Sequence, residues 1–185
     1  MFSVDYRLPA AGSMDALTAG LKAREAGDVK CALGWIQAHS ADYGIDPNNL
    51  VLAGDSAGAH LSMLTAYTIE TSNLHPSCPV TVVPVRAVVS LYGITYSSNQ
   101  AESNVMPISY VRQGLPPTLL IQGTNDHTVR PDNASRMASQ LAACGNEYQF
   151  VKLPFTDHVF DQAFWGSFSA QIARGVVQQF LDHYM

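Results

Sequence analysis

The sequence has few basic residues and no long hydrophobic run, and both absences exclude classes of protein. Ten Lys and Arg residues stand against fifteen Asp and Glu residues, which gives a net charge of −5, and no basic cluster occurs. Nucleic acid is therefore not expected as a partner, and neither is an anionic membrane surface. The longest apolar stretches, such as LPPTLLI, are far shorter than the roughly 20 residues that a membrane-spanning helix needs.

Cysteine is also scarce. Cys31, Cys78 and Cys144 are widely spaced and form no C-x-x-C pair, so we expect free thiols rather than a disulfide or zinc framework. The six histidines show no metal-binding spacing, and no metal or other cofactor is expected. The N-terminal MFSVDYRLPA lacks the basic region and long apolar run of a secretory signal. Together these features favour a reducing, cytoplasmic location.

Apolar, strand-like runs alternate with helical patterns along the chain. Strands are predicted at 1–8, 49–54, 85–93, 117–123 and 147–154. Helices are predicted after Ser13, from Asp28 to Gly44, and over 57–70, 132–144 and 161–184. This alternation indicates an α/β fold with a mostly parallel sheet covered on both faces. A length of 185 residues suits one domain over 1–185, and the long irregular segment 94–117 is a candidate lid or loop.

The stretch LVLAGDSAGAH carries a G-x-S-x-G motif at Gly54, Ser56 and Gly58, between a predicted strand and a predicted helix. In that context the serine lies on a sharp turn that exposes its hydroxyl at the carboxyl end of the sheet. The glycines are expected to let strand and helix approach closely. Asp55 is expected to shape this nucleophile elbow by local hydrogen bonds, with no chemical role.

A serine hydroxyl is a poor nucleophile until a base takes its proton, and a carboxylate must orient the base. Asp126 follows the fourth predicted strand, in LLIQGTNDHTV, and His158 follows the fifth, in KLPFTDHVF. Neighbouring parallel strands deliver such residues to the same edge of the sheet. The chain order Ser56, Asp126, His158 is also the order typical of this architecture.

Other residues compete for these roles. Asp132 follows Pro131 and better suits a helix start, and Asp157 is a second rival for the acid. His127 adjoins the acid on one loop and cannot easily face it, whereas His183 is expected on the surface of the last helix.

Several further residues are expected to have structural roles. His60, one helical turn after the serine, is predicted to be a packed, hydrogen-bonded histidine rather than a catalytic one. Four aromatic residues flank the predicted base, and most are expected in the core, with one or two lining an acyl pocket: Phe155, Phe160, Phe164 and Trp165.

These motifs resemble those of the α/β-hydrolases, in particular the esterase and lipase group that includes hormone-sensitive-lipase-like and feruloyl-esterase-like enzymes. The resemblance rests on VDYRLP, YGIDPNNLVLAGDSAGAHLS, PPTLLIQGTNDHTV and LPFTDHVF, in that order. It implies Ser56 as nucleophile, His158 as general base and then acid, and Asp126 as the orienting carboxylate. It further implies an oxyanion donor in the backbone N–H of Ala57, and small carboxylic esters as substrates, cleaved through an acyl-enzyme.

The sequence departs from that family in one respect. Family members carry three strands and a His-Gly-Gly loop before the segment that VDYRLP matches, and this chain has no His-Gly-Gly. We therefore expect an N-terminally truncated domain, the C-terminal two-thirds of the family fold. The strand before Ser56 is expected to lack one neighbour, and the loss of an oxyanion donor is expected to make the chain a poor esterase.

Two other functions stay open at this stage. The segment QGTNDHTVRPDNASRMASQL also resembles the catalytic domain of prolyl-oligopeptidase-type peptidases, although the Asp-Ser-Ala elbow favours an esterase. A non-catalytic relic or binding module is the third reading. The oligomeric state, the acyl group and the alcohol group do not follow from the sequence.

Overall fold

The computed structural model describes residues 1–8, 19–70, 74–162 and 165–185. The predicted helix cap at Ser13 lies outside the described residues. No helix in these ranges is long and apolar enough to cross a membrane.

Four parallel strands form the central sheet, and each coincides with a predicted strand, although the first continues one residue past its predicted end at 54. They are β1 (Val51–Asp55), β2 (Ala87–Leu91), β3 (Thr118–Gly123) and β4 (Tyr148–Leu153), in the order β1-β2-β3-β4. Their carboxyl ends therefore lie along one edge of the sheet, which is where ligand sites form in parallel α/β sheets. Within the described ranges β1 pairs with β2 alone, so the strand before Ser56 lies at the edge of the sheet.

Helices cover both faces of the sheet, as the α/β prediction required. They are α1 (Ala19–Ala38), α2 (Ala57–Tyr67), α3 (Asp132–Ala143) and α4 (Phe168–Tyr184). Val88 and Leu120 pack against α2 and α3 on one face. Their chain neighbours Val89, Leu119 and Ile121 pack against α4 on the other. Because side chains alternate along a strand, consecutive apolar residues in β2 and β3 serve both cores.

The predicted strand at 1–8 is wrong, because residues 1–8 form no ladder with any described strand. The segment contacts α1 instead. The backbone N–H of Arg7 donates to Asp28 Oδ2 at 3.0 Å, and Val4 and Tyr6 pack on a cluster from α1 and α2. A strand exists only where its backbone groups pair with a neighbouring strand, and the segment has no such neighbour here.

The predicted helix start at Asp28 is also wrong, since α1 begins by Ala19. The residues from Ala19 to Gly27 include Leu, Lys, Arg and Glu, which favour helix. The Asp28 carboxylate accepts instead from the Arg7 guanidinium at 2.6 to 3.1 Å, and this contact lowers the pKa of Asp28 to about 2. The helical segment does end at Gly44, which takes a left-handed conformation at φ 64°.

The prediction of free thiols is wrong for two of the three cysteines. Cys31 on α1 and Cys78 on the loop before β2 form a disulfide, with Cα atoms 5.5 Å apart, while Cys144 is free. A backbone hydrogen bond from Ser77 N–H to the carbonyl of Gly27 brings the two segments together. Disulfides are typical of oxidising compartments. The cytoplasmic location therefore loses one of the observations that favoured it and stays a prediction.

The irregular segment 94–117 contains two short 3₁₀ helices, Gln100–Val105 and Pro107–Tyr110. Val105, which ends the first of them, and Met106, which follows it, are buried in the cluster with α1 and α2. This part of the segment is thus packed against the domain, and its role as a lid stays a prediction.

Candidate active site

Ser56 lies in a sharp turn between β1 and α2, with a backbone φ of 48° and ψ of −112°. Its N–H donates to the carbonyl of Leu91 at 2.9 Å, which fixes the turn to β2. A Cβ added to Gly54 would lie 2.3 Å from the carbonyl carbon of Gly58, so only glycine fits there. At Gly58 an added Cβ would meet nothing closer than 3.8 Å. The close approach of strand and helix therefore needs the first motif glycine and not the second.

Asp126 follows β3 and is buried, with two donors on each carboxylate oxygen. Oδ1 accepts from the backbone N–H groups of Thr128 and Val129 at 2.9 and 2.8 Å. Oδ2 accepts from Gln122 Nε2 and from the His158 ring, both at 2.8 Å. The carboxylate is thus locked in one orientation, as a group that must orient a neighbouring ring requires.

His158 joins the predicted serine and acid. Its Nδ1 lies 2.8 Å from Asp126 Oδ2, and its Nε2 lies 3.0 Å from Ser56 Oγ. Because a carboxylate only accepts hydrogen bonds, Nδ1 carries the proton in this pair and Nε2 is left to accept from the serine hydroxyl. The His158 side chain is 10% exposed. The structure therefore brings the three predicted residues together, in the tautomer that a general base needs.

Contacts between the two loops set this geometry. A Cβ on Gly123 would lie 2.2 Å from the carbonyl oxygen of Thr156, so the loops after β3 and β4 touch through their backbones. The N–H of Asn125 donates to the same carbonyl at 3.0 Å, and the N–H of Phe155 donates to Thr124 Oγ1 at 2.9 Å.

The rival pair His127 and Asp157 lies beside the site and not in the hydrogen-bond chain. The Asp157 carboxylate accepts from the backbone N–H groups of His127 and His158 at 3.1 and 2.7 Å. It also lies 3.1 Å from His127 Nδ1. These backbone hydrogen bonds, with that of His127 foremost, lower the pKa of Asp157 to about 2. The pair connects the loop after β3 to the loop that carries His158.

The remaining rivals have structural roles. Asp132 is the first residue of α3, and its carboxylate accepts from the Tyr96 hydroxyl at 2.7 Å. His183 is exposed in the last turn of α4. His60 is buried, and its Nδ1 lies 2.9 Å from the carbonyl oxygen of Ile94. Burial lowers the pKa of His60 to about 4, as expected for a packed, neutral histidine.

Of the three predicted aromatic neighbours of His158 that the structure describes, one is in the core. Phe160 is buried, but Phe155 is 95% exposed and Trp165 is 67% exposed, with Arg174 over its ring. The expectation of a core position is therefore wrong for both. Phe164 lies outside the described residues.

Two residues at the site were not identified from the sequence. Gln122 donates to Asp126 from inside β3, and its signal was a polar residue in the otherwise apolar, buried run TLLIQG. Tyr92 packs its ring against that of His158 with centroids 4.5 Å apart. No sequence signal separated this tyrosine from an ordinary strand end.

Ala57 is the first residue of α2 and is exposed beside Ser56. The first N–H groups of a helix have no partner within the helix, so the N–H of Ala57 can donate to an oxyanion. Its role stays a prediction.

Comparisons with known proteins identify relatives of this chain. A family model described as BD-FAE matches residues 1–103. The probable carboxylic ester hydrolase LipM of Mycobacterium tuberculosis is 29% identical over 181 residues, which cover 83% of this chain and 42% of LipM. Esterase LipQ of the same organism is 28% identical over 74% of this chain and 38% of LipQ. The chain thus spans about two-fifths of the length of these relatives.

Solved structures share the fold. Propionate-bound esterase Est2 of Thermogutta terrifontis superposes with a TM-score of 0.82 at 25% identity, over 97% of this chain and 70% of that one. The esterase 2 of that species phosphorylated by paraoxon superposes with a TM-score of 0.79 at 25% identity, over 96% and 67% of the two chains. Since the family model matches more than half of the sequence, the chain belongs to the BD-FAE family, within the esterase group of the α/β-hydrolases.

Proposed function

We propose that the protein is a serine hydrolase that cleaves small carboxylic esters through an acyl-enzyme. The observation that carries the proposal is the continuous hydrogen-bond chain from Ser56 Oγ through His158 to Asp126. Relatives over most of the chain are named as ester hydrolases, which supports the ester as the bond that is cleaved.

In the first half-reaction, Ser56 Oγ attacks the ester carbonyl carbon while His158 Nε2 takes the hydroxyl proton. The buried Asp126 carboxylate stabilises the imidazolium that forms, and the N–H of Ala57 donates to the developing oxyanion. When the tetrahedral intermediate collapses, the carbonyl–alkoxide bond breaks and His158 gives its proton to the departing alcohol.

In the second half-reaction, water takes the place of the alcohol. His158 removes a proton from the water as it attacks the acyl carbon, and then returns that proton to Ser56 Oγ as the ester bond to the enzyme breaks. The carboxylic acid leaves and the serine is restored. No further reactant is consumed.

The rate of this chain by itself is expected to be low. Ala57 is the one backbone oxyanion donor that we identify in the described residues. Loss of a single donor from such a site costs roughly 10²- to 10³-fold in kcat. A chain with this one donor is therefore expected to turn over aryl esters slowly but measurably above the uncatalysed rate.

Hydrolysis of 4-nitrophenyl acetate and butyrate tests the proposal, with a prolyl 4-nitroanilide as the amide counterpart. The wild-type protein is compared with Ser56→Ala and with Ser139→Ala, which removes an exposed serine hydroxyl on α3. We expect ester hydrolysis in the wild type and in Ser139→Ala, and none above background in Ser56→Ala.

Two results would contradict the proposal. Prolyl amide cleavage at a rate comparable with the ester would favour the peptidase. Ester hydrolysis equal to background in all three folded proteins would favour a non-catalytic module.

A further inference from the structure

Tyr92 occupies an unusual position directly after β2. Its side chain is fully buried, its backbone φ is 41°, and its N–H donates to the carbonyl of Ile121 at 2.8 Å. Residues other than glycine rarely adopt this left-handed conformation. Such conformations persist where the surrounding contacts over-determine them, and they concentrate at functional sites.

The ring of Tyr92 contacts two residues of the loop after β4. It meets the His158 imidazole edge-on, with centroids 4.5 Å apart and planes at 62°, and it meets the ring of Phe160 at 5.0 Å. The imidazole is therefore packed against a tyrosine ring from the residue after β2, whereas its hydrogen bonds come from the loops after β1 and β3.

The hydroxyl of Tyr92 joins two other parts of the site. It donates to the carboxylate of Asp161 and lies 3.3 Å from Oδ2 of Asp55. Gln162 Nε2 donates to that same Asp55 oxygen. Burial and the Asp161 carboxylate raise the pKa of the Tyr92 hydroxyl, so it keeps its proton and remains a donor.

These contacts form a second bridge, separate from the Ser56–His158–Asp126 chain. Asp55 immediately precedes Ser56, while Asp161 and Gln162 follow His158 by three and four residues. The bridge thus connects the backbone beside the nucleophile to the backbone beside the base. The loop is thus attached after the histidine by this bridge and before it by the hydrogen bond from the His127 N–H to Asp157.

We propose that Tyr92 is a positioning residue, whose ring sets the orientation of the His158 imidazole and whose hydroxyl fixes the distance between the His158 loop and the Ser56 turn. The inference rests on the proposed function, since it concerns the geometry of the same site. In this role Tyr92 exchanges no proton and forms no bond during the reaction. It acts through His158 and Asp55.

The test compares Tyr92→Phe with Tyr67→Phe. Tyr67 is equally buried, and its hydroxyl lies 2.8 Å from Thr118 Oγ1 in the core between the sheet and α2. Both variants lose one buried hydroxyl, and both are expected to lower the melting temperature. A misplacement of reacting groups on the order of 1 Å can cost about 10²-fold in rate. We expect kcat on 4-nitrophenyl acetate to fall about 10- to 100-fold in Tyr92→Phe, with KM little changed, and to stay at the wild-type value in Tyr67→Phe.

Asp161 provides a second pair of variants that leaves the tyrosine in place. Asp161→Asn keeps a carbonyl oxygen that accepts from the Tyr92 hydroxyl, and Asp161→Ala does not. We expect Asp161→Ala to reproduce the loss of Tyr92→Phe, and Asp161→Asn to recover most of it. If thermal melting shows that both Asp161 variants are folded, equal activity in the two would overturn the role proposed for the bridge.

A spectroscopic readout separates this inference from the proposed function. The Nδ1 proton of His158 in its hydrogen bond to Asp126 is observable by proton NMR whether or not the protein hydrolyses esters. We expect this resonance to shift or broaden in Tyr92→Phe and to be unchanged in Tyr67→Phe. An inactive wild type would reject the proposed function alone, and the resonance would still decide the inference. A Tyr92→Phe spectrum identical to that of the wild type would overturn the inference about Tyr92.

Discussion

The Nδ1 atom of His158 lies 2.8 Å from Oδ2 of Asp126, and hydrogen bonds hold this carboxylate in one orientation. Backbone N–H groups of Thr128 and Val129 hold its Oδ1, and Gln122 holds the same oxygen as the histidine. The orientation of the imidazole therefore depends on one oxygen of a carboxylate that three other donors hold in place.

Asp126→Asn should for this reason leave the fold intact and remove most of the activity. The amide oxygen is needed by the two backbone N–H groups, so the NH₂ group must face His158 and Gln122. The ring then has to accept at Nδ1 and carry its proton on Nε2, which cannot accept from Ser56. We expect kcat to fall about 10⁴-fold, measured on 4-nitrophenyl acetate. A variant within tenfold of the wild type would show that Asp126 does not set the tautomer.

Asp157 should stabilise the loop of His158 in a pH-dependent way. Its folded pKa of about 2 lies below its unfolded value of about 3.9. The ionised carboxylate therefore contributes stability above pH 4, and this contribution is lost as the pH falls towards 2.

The comparison of wild type with Asp157→Ala measures this contribution. Urea unfolding from pH 6 to 2 should show the variant less stable at pH 6, with the two proteins converging as the pH approaches 2. A difference that is the same at every pH would mean that the carboxylate charge is not involved.

Replacing glycine by alanine should change the free energy of unfolding in opposite directions at Gly123 and Gly175. In Gly123→Ala the new Cβ would lie 2.2 Å from the carbonyl oxygen of Thr156, so the loops after β3 and β4 must separate. We expect a loss of about 3 kcal/mol in unfolding free energy, together with loss of ester hydrolysis.

Gly175→Ala is the matched control, because Gly175 lies within α4 and an added Cβ would meet nothing within 4 Å. There the higher helix propensity of alanine should stabilise the protein by about 0.5 to 1 kcal/mol. Equal effects at the two positions in thermal or urea unfolding would contradict the backbone contact between the loops.

The Cys31–Cys78 disulfide closes a loop of 47 residues in the sequence. A cross-link of that length restricts the unfolded chain, and its removal is expected to cost about 4 kcal/mol. Cys31→Ser should therefore unfold at lower urea concentration than the wild type, and Cys144→Ser, which changes the free cysteine, should not. Alkylation without reductant should modify one cysteine per wild-type chain. Modification of all three would contradict the disulfide.

Much of the site could be predicted from the sequence, because it depends on strand order and on local motifs. Ser56, Asp126 and His158 each follow an apolar strand, and the ends of neighbouring parallel strands meet at one edge. The disulfide could not be predicted in this way. Cys31 and Cys78 come together only when α1 docks beside the loop before β2, and no spacing rule encodes that contact.

The other differences have the same origin. Asp28 is a typical helix-capping residue but lies inside α1, where its carboxylate accepts hydrogen bonds from the Arg7 guanidinium. Tyr92 acquires its position from contacts with Asp161 and His158, which are distant in the sequence. The four observed strands followed from the hydrophobic pattern, whereas the strand predicted at 1–8 failed because it pairs with no described strand.

The most direct measurement of the central claim is the site at which paraoxon modifies the protein. An activated Ser56 should attack the phosphorus while His158 takes the serine proton. The Oγ–P bond forms, the bond between phosphorus and the aryl oxygen breaks, and 4-nitrophenolate is released. Intact mass spectrometry should then show one diethylphosphoryl group per chain, and peptide mapping should place it on Ser56, with no adduct in Ser56→Ala. A folded wild-type protein that gains no adduct, or gains it at another residue, would contradict the assignment of Ser56 as the nucleophile.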